Sequence, residues 1–561
     1  MFSTWLLLPT LFIPLSLAQV LKLTPGKILG FDYKTKDGAQ AEVYLGIPYA
    51  RAPVGELRFE RPKPPEPWND IRDCRDFAPI CYPIVLEAVA AGEEASEDCL
   101  MLNIIRPKKE APEGGFPILF WVHGGAYEMG SAVECGYQGF ADIYVPNDII
   151  VVTIQYRLSI YGFFSTGDDR IKGNMGLYDM AEALKFVHDN AANIGGDPSR
   201  ITVWGHSAGS ASVSLLILSP VTRGYVRRSI EMSGSPWASW ALGPKVADNS
   251  LALAKELGCQ EDVKKCMQQK SAEEIYDGIK KVGLRFIKWG AVIDGEFVQE
   301  PEVMVADAPP KMSIVGSTNK EAALFSLLGT KPFRYFHSLY VAPEDYKNWS
   351  KQRLIKKLKR LVEKEYIGGH LDELMDEIIR FYVDRGEEEN NEIYLDRYTE
   401  FLSDVFFNVP VANGVLARRA AGWDIYAYYL DHYNDAIWDG KVPKKLRGAP
   451  HFAEFPYVNG VGRLAKYDFT KKEQVVADVF RQSFASFVKN GAPTNNHEVW
   501  LDIGTEDFLR YLRVTPDPEM RDGFHNDSLT FWHATRRFGF DVTNLQPVKK
   551  DEETKETKQE L

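Results

Sequence analysis

Gly205-His206-Ser207-Ala208-Gly209 is a G-x-S-x-G sequence. A neutral serine hydroxyl is a weak nucleophile, so a serine placed this way becomes useful only where a tight turn exposes Oγ to a base and to an electrophilic carbonyl. The letters alone are a weak signal: with 44 glycines in 561 residues, about one chain in five of this length holds them by chance. Context strengthens them. The apolar run Ile201 to Trp204 reads as a strand leading in and Ala208 to Leu218 as a helix leading out, with small residues allowing the strained turn between. The helix N-terminus adds a dipole that favours a developing oxyanion. A second element, His123-Gly124-Gly125-Ala126, follows the strand-like run Ile118 to Val122. Consecutive glycines let the N–H groups of Gly124 and Gly125 converge on a substrate oxygen without a Cβ in the way, and the N–H of Ala208 completes an oxyanion hole.

Such parts need a rigid frame. Short β-rich runs occur at Leu102 to Ile105, Ile118 to Val122, Ile149 to Ile154, Ile201 to Trp204, Ser229 to Met232, Ile314 to Val315 and Ile425 to Leu430. Helix-like patterns lie between several of them, at Leu177 to Asn190 and Ala208 to Leu218 for example, which predicts an α/β fold with a large, mostly parallel central sheet. From Glu344 to Asp384, leucines at helical spacing among many charges predict an inserted helical pair covering the sheet, and Lys356 to Arg360 reads as its solvated face. The length alone would suggest three or four domains. With no internal repeat and no Pro/Gly/Ser-rich linker, one domain over 19–547 is expected instead. Composition, 45% hydrophobic and 12% aromatic, provides for a sizeable core, and the net charge of −12 argues against a general nucleic-acid or anionic-membrane binder. Small neutral ligands fit that balance.

The chain resembles the type-B carboxylesterases of the cholinesterase-like family, which have the α/β-hydrolase fold. The resemblance runs nearly end to end. It is carried by Leu45-Gly46-Ile47-Pro48-Tyr49-Ala50, Pro53-Val54-Gly55, Leu57-Arg58-Phe59, Ser96-Glu97-Asp98-Cys99-Leu100 with Leu102-Asn103, Tyr156-Arg157-Leu158, Gly173-Asn174 and Gly195-Gly196-Asp197-Pro198, together with the two turns above. In detail it is similar to the intestinal esterases of nematodes. The resemblance implies a small-molecule ester as substrate, no cofactor and no metal. It also implies an acid in Gly316 to Glu321 and a base in Gly448-Ala449-Pro450-His451-Phe452-Ala453-Glu454, hence a Ser207, Glu321, His451 triad working through an acyl-enzyme. Spacing alone leaves Glu321 open as a surface ion-pair residue and His451 as an ordinary loop histidine. Departures from the family pattern are Ala322 where Gly normally follows the acid, His206 where Glu precedes the nucleophile, and Ala126 where a third Gly is common. His206 is expected to support the site rather than act as its base. Between Cys81 and Cys99 there is no Trp to hold a quaternary ammonium, so choline esters are not the expected substrates. Trp237, Trp240 and Phe325 are candidate pocket walls. A binding or adhesion module using the fold as a scaffold, or an interfacial lipase, are the competing readings.

Residues 1–18 read as a signal peptide, with an apolar run Trp5 to Leu17 before Ser16-Leu17-Ala18; the n-region has no Lys or Arg, and Pro9 and Pro14 argue against a spanning helix. No later stretch reaches membrane-spanning length, so no integral membrane segment is expected. The polar tail 548–561 ends Lys558-Gln559-Glu560-Leu561, similar to a KDEL-type signal, which points to the endoplasmic reticulum lumen and a retrieval receptor, with secretion as the alternative. Sequons at Asn348 and Asn526 fit that route but are weak signals. Six cysteines allow fifteen connectivities. Short separations favour local pairing of Cys81 with Cys99 and of Cys259 with Cys266, the first contributing about 3 kcal/mol in the chain-entropy model. Cys74 and Cys135 remain by elimination.

Overall fold

The structure, a computed structural model, describes residues 19–542 apart from 91, 244, 285–287, 330–337, 367, 387–388, 439, 463 and 507. The expected leader and the Lys558 to Leu561 terminus lie outside the described residues.

Among the described residues, a 13-stranded sheet runs through the molecule. In chain order its strands are β1 (Gln19–Lys22), β2 (Lys27–Lys34), β3 (Gln40–Pro48), β4 (Arg72–Asp73), β5 (Met101–Pro107), β6 (Phe116–Val122), β7 (Ile150–Ile154), β8 (Gly196–His206), β9 (Arg228–Met232), β10 (Met312–Thr318), β11 (Asp424–Leu430), β12 (Arg510–Val514) and β13 (Glu519–Asp522). Their spatial order is β1-β2-β3-β5-β7-β6-β8-β9-β10-β11-β12-β13, with β4 beside β2. From β7 to β12 all neighbours are parallel. Both ends of the sheet are antiparallel apart from β4, which runs parallel to β2.

That division follows from the residues. β6 and β7 are buried at every position and apolar at all but Thr153, as strands covered by helices on both faces are. β2, Lys-Ile-Leu-Gly-Phe-Asp-Tyr-Lys, alternates in exposure and belongs to an end that faces water on one side. Every run expected to be a strand falls on one, from Leu102 to Ile105 in β5 to Ile425 to Leu430 in β11. Helices Met175–Asp189 and Ala208–Leu218 also stand where expected; the second is built of small and aliphatic residues and is buried throughout.

The expected insertion is present as helices Lys351–Glu365 and Leu371–Ile378. Ser350 caps the first by accepting the Arg353 N–H, a bond that satisfies one of the free donors of a helix start. Leu354 and Leu358 are buried while Lys356 and Arg360 are exposed, so the basic run is a solvated face. The placement differs from the expectation. Trp349, just before the first helix, packs on Tyr398 of helix Asn391–Ser403 with ring centroids 5.1 Å apart, and Leu361 and Val362 face a cavity. The first helix of the insertion thus forms part of the cavity wall, and the insertion packs on other helices rather than on the sheet.

Cys81–Cys99 and Cys259–Cys266 are disulfides. Cys74 and Cys135 are buried free thiols, each pushed up to about 12 by burial. No described helix is long and apolar enough to cross a membrane. Of the two sequons, Asn348 is exposed at the end of a 3-10 turn. Asn526 is half-buried, and its Ser528 donates to Asp404 Oδ2 at 2.7 Å.

Candidate active site

β8 ends at His206, and the chain turns through Ser207 into helix Ala208–Leu218. Ser207 has φ 58° and ψ −124°, a conformation that costs on the order of 1–3 kcal/mol and persists only where its surroundings enforce it. Three glycines do so. A Cβ on Gly205 would lie 2.2 Å from the Gly209 carbonyl oxygen, one on Gly209 2.2 Å from that of Val122, and one on Gly234 2.1 Å from that of Ser207 itself. Any larger residue would force these backbones apart and open the turn. The Ser207 N–H donates to the Met232 carbonyl at 2.8 Å, tying the turn to the end of β9.

The second glycine turn abuts the first. A Cβ on Gly124 would stand 2.4 Å from the His206 carbonyl oxygen and 3.0 Å from Ser207 Cβ. Gly125, at φ +121°, would also drive a Cβ into the Met129 carbonyl oxygen at 2.1 Å. Ala126 and Tyr127 follow at φ 57° and 61°, and the turn is closed by the N–H groups of Glu128 and Met129, both donating to the Gly125 carbonyl at 3.0 Å. The expected oxyanion donors, Gly124, Gly125 and Ala208, therefore sit on two segments in direct contact. Ala208 opens its helix, where the first N–H groups have no intrahelical acceptor.

Glu321 lies just past β10 and His451 on the loop after β11. The His451 N–H donates to the Glu321 carbonyl at 3.2 Å, and the Lys320 N–H to the Ala449 carbonyl at 3.0 Å, so the two loops run side by side. His451 Nδ1 is 2.6 Å from Glu321 Oε2. Glu321 Oε1 accepts the Thr318 N–H at 2.7 Å and the Ser233 hydroxyl at 2.6 Å. Both residues are buried, so Glu321 is not a surface ion-pair residue. His451 Nε2 has no hydrogen-bond partner among the described residues, and His451 lines the same cavity as Ser207.

Two neighbours had no role assigned from sequence. Ser233 Oγ is also 3.1 Å from Glu454 Oε1, and the Tyr428 hydroxyl donates to the same oxygen at 3.3 Å. Burial, with the nearby Glu321 carboxyl adding to it, pushes Glu454 up to about 8. The signal for it was present in the His-x-x-Glu spacing, but nothing local marks Ser233. His206 is buried with ring centroids 4.4 Å from His451, 4.2 Å from Phe452 and 5.1 Å from Phe455. Neither of its nitrogens has a hydrogen-bond partner among the described residues. Burial, with the neighbouring His451 adding to it, holds its titration well below the usual imidazole range.

The cavity in front of Ser207 has a volume of about 520 Å³. Gly125, Ala126 and His451 line it with Ser207, while Trp240, Trp289, Phe325 and Phe407 supply aromatic wall. Two of the three candidate wall residues are thus in place. Trp237 is not: its ring packs on Gly414, where a Cβ would come within 2.9 Å of it, and its indole N–H donates to Glu302 Oε1 at 2.7 Å. Phe407 and Trp289 were missed, since an aromatic residue far from any motif carries no mark in the sequence.

A parallel sheet with a serine turn between β8 and its following helix, and with acid and histidine loops after β10 and β11, is the α/β-hydrolase architecture. Residues 17–532 match the Carboxylesterase family; the chain belongs to that family and is a carboxylic ester hydrolase. Gut esterase 1 of Caenorhabditis briggsae is 38% identical to it over 532 residues, covering 92% of this chain and 93% of the relative. Gut esterase 1 of Caenorhabditis elegans is 37% identical with the same coverage, and acylcarnitine hydrolase of Rattus norvegicus is 30% identical over 91% of this chain and 90% of its own.

Proposed function

We propose that this carboxylesterase hydrolyses neutral esters through an acyl-enzyme on Ser207, with His451 as general base and acid and Glu321 as the carboxylate that orients it. The observation that carries the reading is the 2.6 Å contact of His451 Nδ1 with buried Glu321, while Nε2 has no hydrogen-bond partner among the described residues and His451 lines the same cavity as Ser207. Glu321 fixes the tautomer in which Nε2 can accept the Ser207 proton, and it stabilises the imidazolium that results. Ser207 Oγ bonds to the ester carbonyl carbon, and the negative oxygen is met by the N–H groups of Gly124, Gly125 and Ala208. The bond to the alkoxy oxygen then breaks as His451 returns the proton, releasing the alcohol. Water attacks the acyl-enzyme with His451 again as base, and the carboxylic acid leaves from Ser207.

The discrimination against cationic esters rests on the lining. Apart from the aromatic and aliphatic wall, its charged members are Lys245, Lys288 and Lys364, with no Asp or Glu among the described lining residues. The rat relative is named for acylcarnitine; a quaternary ammonium group would meet no carboxylate on this wall. Ser207→Ala is expected to lower kcat by roughly 10⁴-fold with the thermal midpoint retained. An organophosphate should label Ser207, as peptide mapping would establish; label on another residue, or a variant that keeps most of the activity, refutes the assignment.

A further inference from the structure

Glu128 is fully buried and belongs to none of the motifs above. Its own N–H helps to close the oxyanion turn on the Gly125 carbonyl. Its side chain reaches another part of the chain, where Oε1 accepts the backbone N–H of Lys288 at 2.6 Å and of Trp289 at 3.1 Å. Lys288, Trp289 and Gly290 line the cavity beside Gly125, Ala126 and Ser207. A Cβ on Gly290 would stand 3.3 Å from the Trp240 carbonyl oxygen and 3.5 Å from the Tyr127 ring, so this wall passes directly beside the turn.

No helix or strand includes 288–290; the regular pairing next to it is an isolated bridge between Leu242 and Ala291. The wall is therefore held to the turn by a side chain rather than by a backbone ladder. Hydrogen bonds from N–H to a carboxylate are about twice as strong as neutral ones, and breaking them in a buried site leaves two donors unsatisfied. We propose that Glu128 is a positioning residue that pins the wall at Lys288 to Gly290 against the oxyanion turn and thereby sets the length of ester chain the cavity accepts. It moves no proton and touches no reacting atom. The inference rests on the acyl-enzyme reading of Ser207.

The test compares Glu128→Ala and Glu128→Gln with the unaltered full-length enzyme on two ester series, one with acyl chains from acetyl to decanoyl on p-nitrophenol and one with growing alkyl acetates. Sites are counted by organophosphate titration. In one series Glu128→Ala is expected to lose kcat/KM progressively with length, mainly through KM, by roughly tenfold or more at the longest ester and less than about threefold at the shortest. Glu128→Gln, neutral but still an acceptor, should fall between, with a selectivity change of about threefold. An equal factor lost at every length in both series would mark a purely structural role and overturn the proposal. If Glu128→Ala does not fold, a Glu128→Gln enzyme with unaltered length preference overturns it alone. Failure of the acyl-enzyme reading shows separately, as absent labelling of Ser207 in the unaltered enzyme.

Discussion

The residue before Ser207 decides how much negative charge surrounds the histidine when it takes a proton. Glu321 faces His451 Nδ1, Glu454 is pushed up by burial and by Glu321 and so favours its neutral form, Ser233 and Tyr428 add only dipoles, and burial disfavours the charged form of His206. The imidazolium of His451 is thus compensated by one carboxylate. His206→Gln keeps that balance, so the acid limb of kcat/KM, where His451 gains its proton, should stay in place. His206→Glu sets a second carboxylate beside a ring now 4.4 Å from its neighbour, favours the imidazolium, and should raise the limb by about one pH unit or more. A displaced limb in the Gln variant would mean that His206 itself exchanges the proton. Glycine positions at this scale were legible in advance, since Gly205, Gly209, Gly124 and Gly125 each face a backbone carbonyl or Ser207 too closely for a side chain. Glu128 was not, because its importance depends on a segment 160 residues away in the chain.

The loops after β9, β10 and β11 meet at Ser233, Glu321 and Glu454, and a pH-dependent load on stability follows. Glu454 has an ordinary value of 4.5 and a folded one of about 8. The native protein therefore holds a proton that the unfolded chain gives up, and the contribution of this group to stability is full below the lower value and declines as pH rises towards the upper. Glu454→Gln removes that decline while keeping the size and an acceptor for Tyr428. Its thermal midpoint relative to the unaltered protein should rise between pH 5 and pH 9; a difference that stays flat over this range would place the carboxyl elsewhere than in a buried, protonated state. At the same scale, the parallel strands were legible because burial on both faces demands continuous apolar runs. β2 and β12 were not, because strands near the ends of the sheet, such as Arg510–Val514, mix Arg with Tyr, Leu and Val and look like loops. The helical insertion was recognised by its leucine spacing, but periodicity fixes only which face is buried, and what that face meets is decided by the helices Asn391–Ser403 and Asn526–Ala534 that arrive later in the chain.

Over the whole molecule, the two disulfides support our proposal that the protein matures in an oxidising compartment, with two buried thiols too basic to react readily. The two chain ends add to this proposal: an apolar leader over 1–18 for entry, and Lys558-Gln559-Glu560-Leu561 as a ligand for a retrieval receptor. Every described residue that lines the cavity lies between Gly125 and Phe540. Deleting Lys558 to Leu561 should therefore move active enzyme from the luminal fraction into the medium of secreting cells while leaving specific activity unchanged. Replacing Gln559 by Asp, which restores the KDEL-type sequence, should keep it inside. If the intact and shortened proteins reach the medium equally, Gln559 breaks the signal, and the enzyme acts outside the cell.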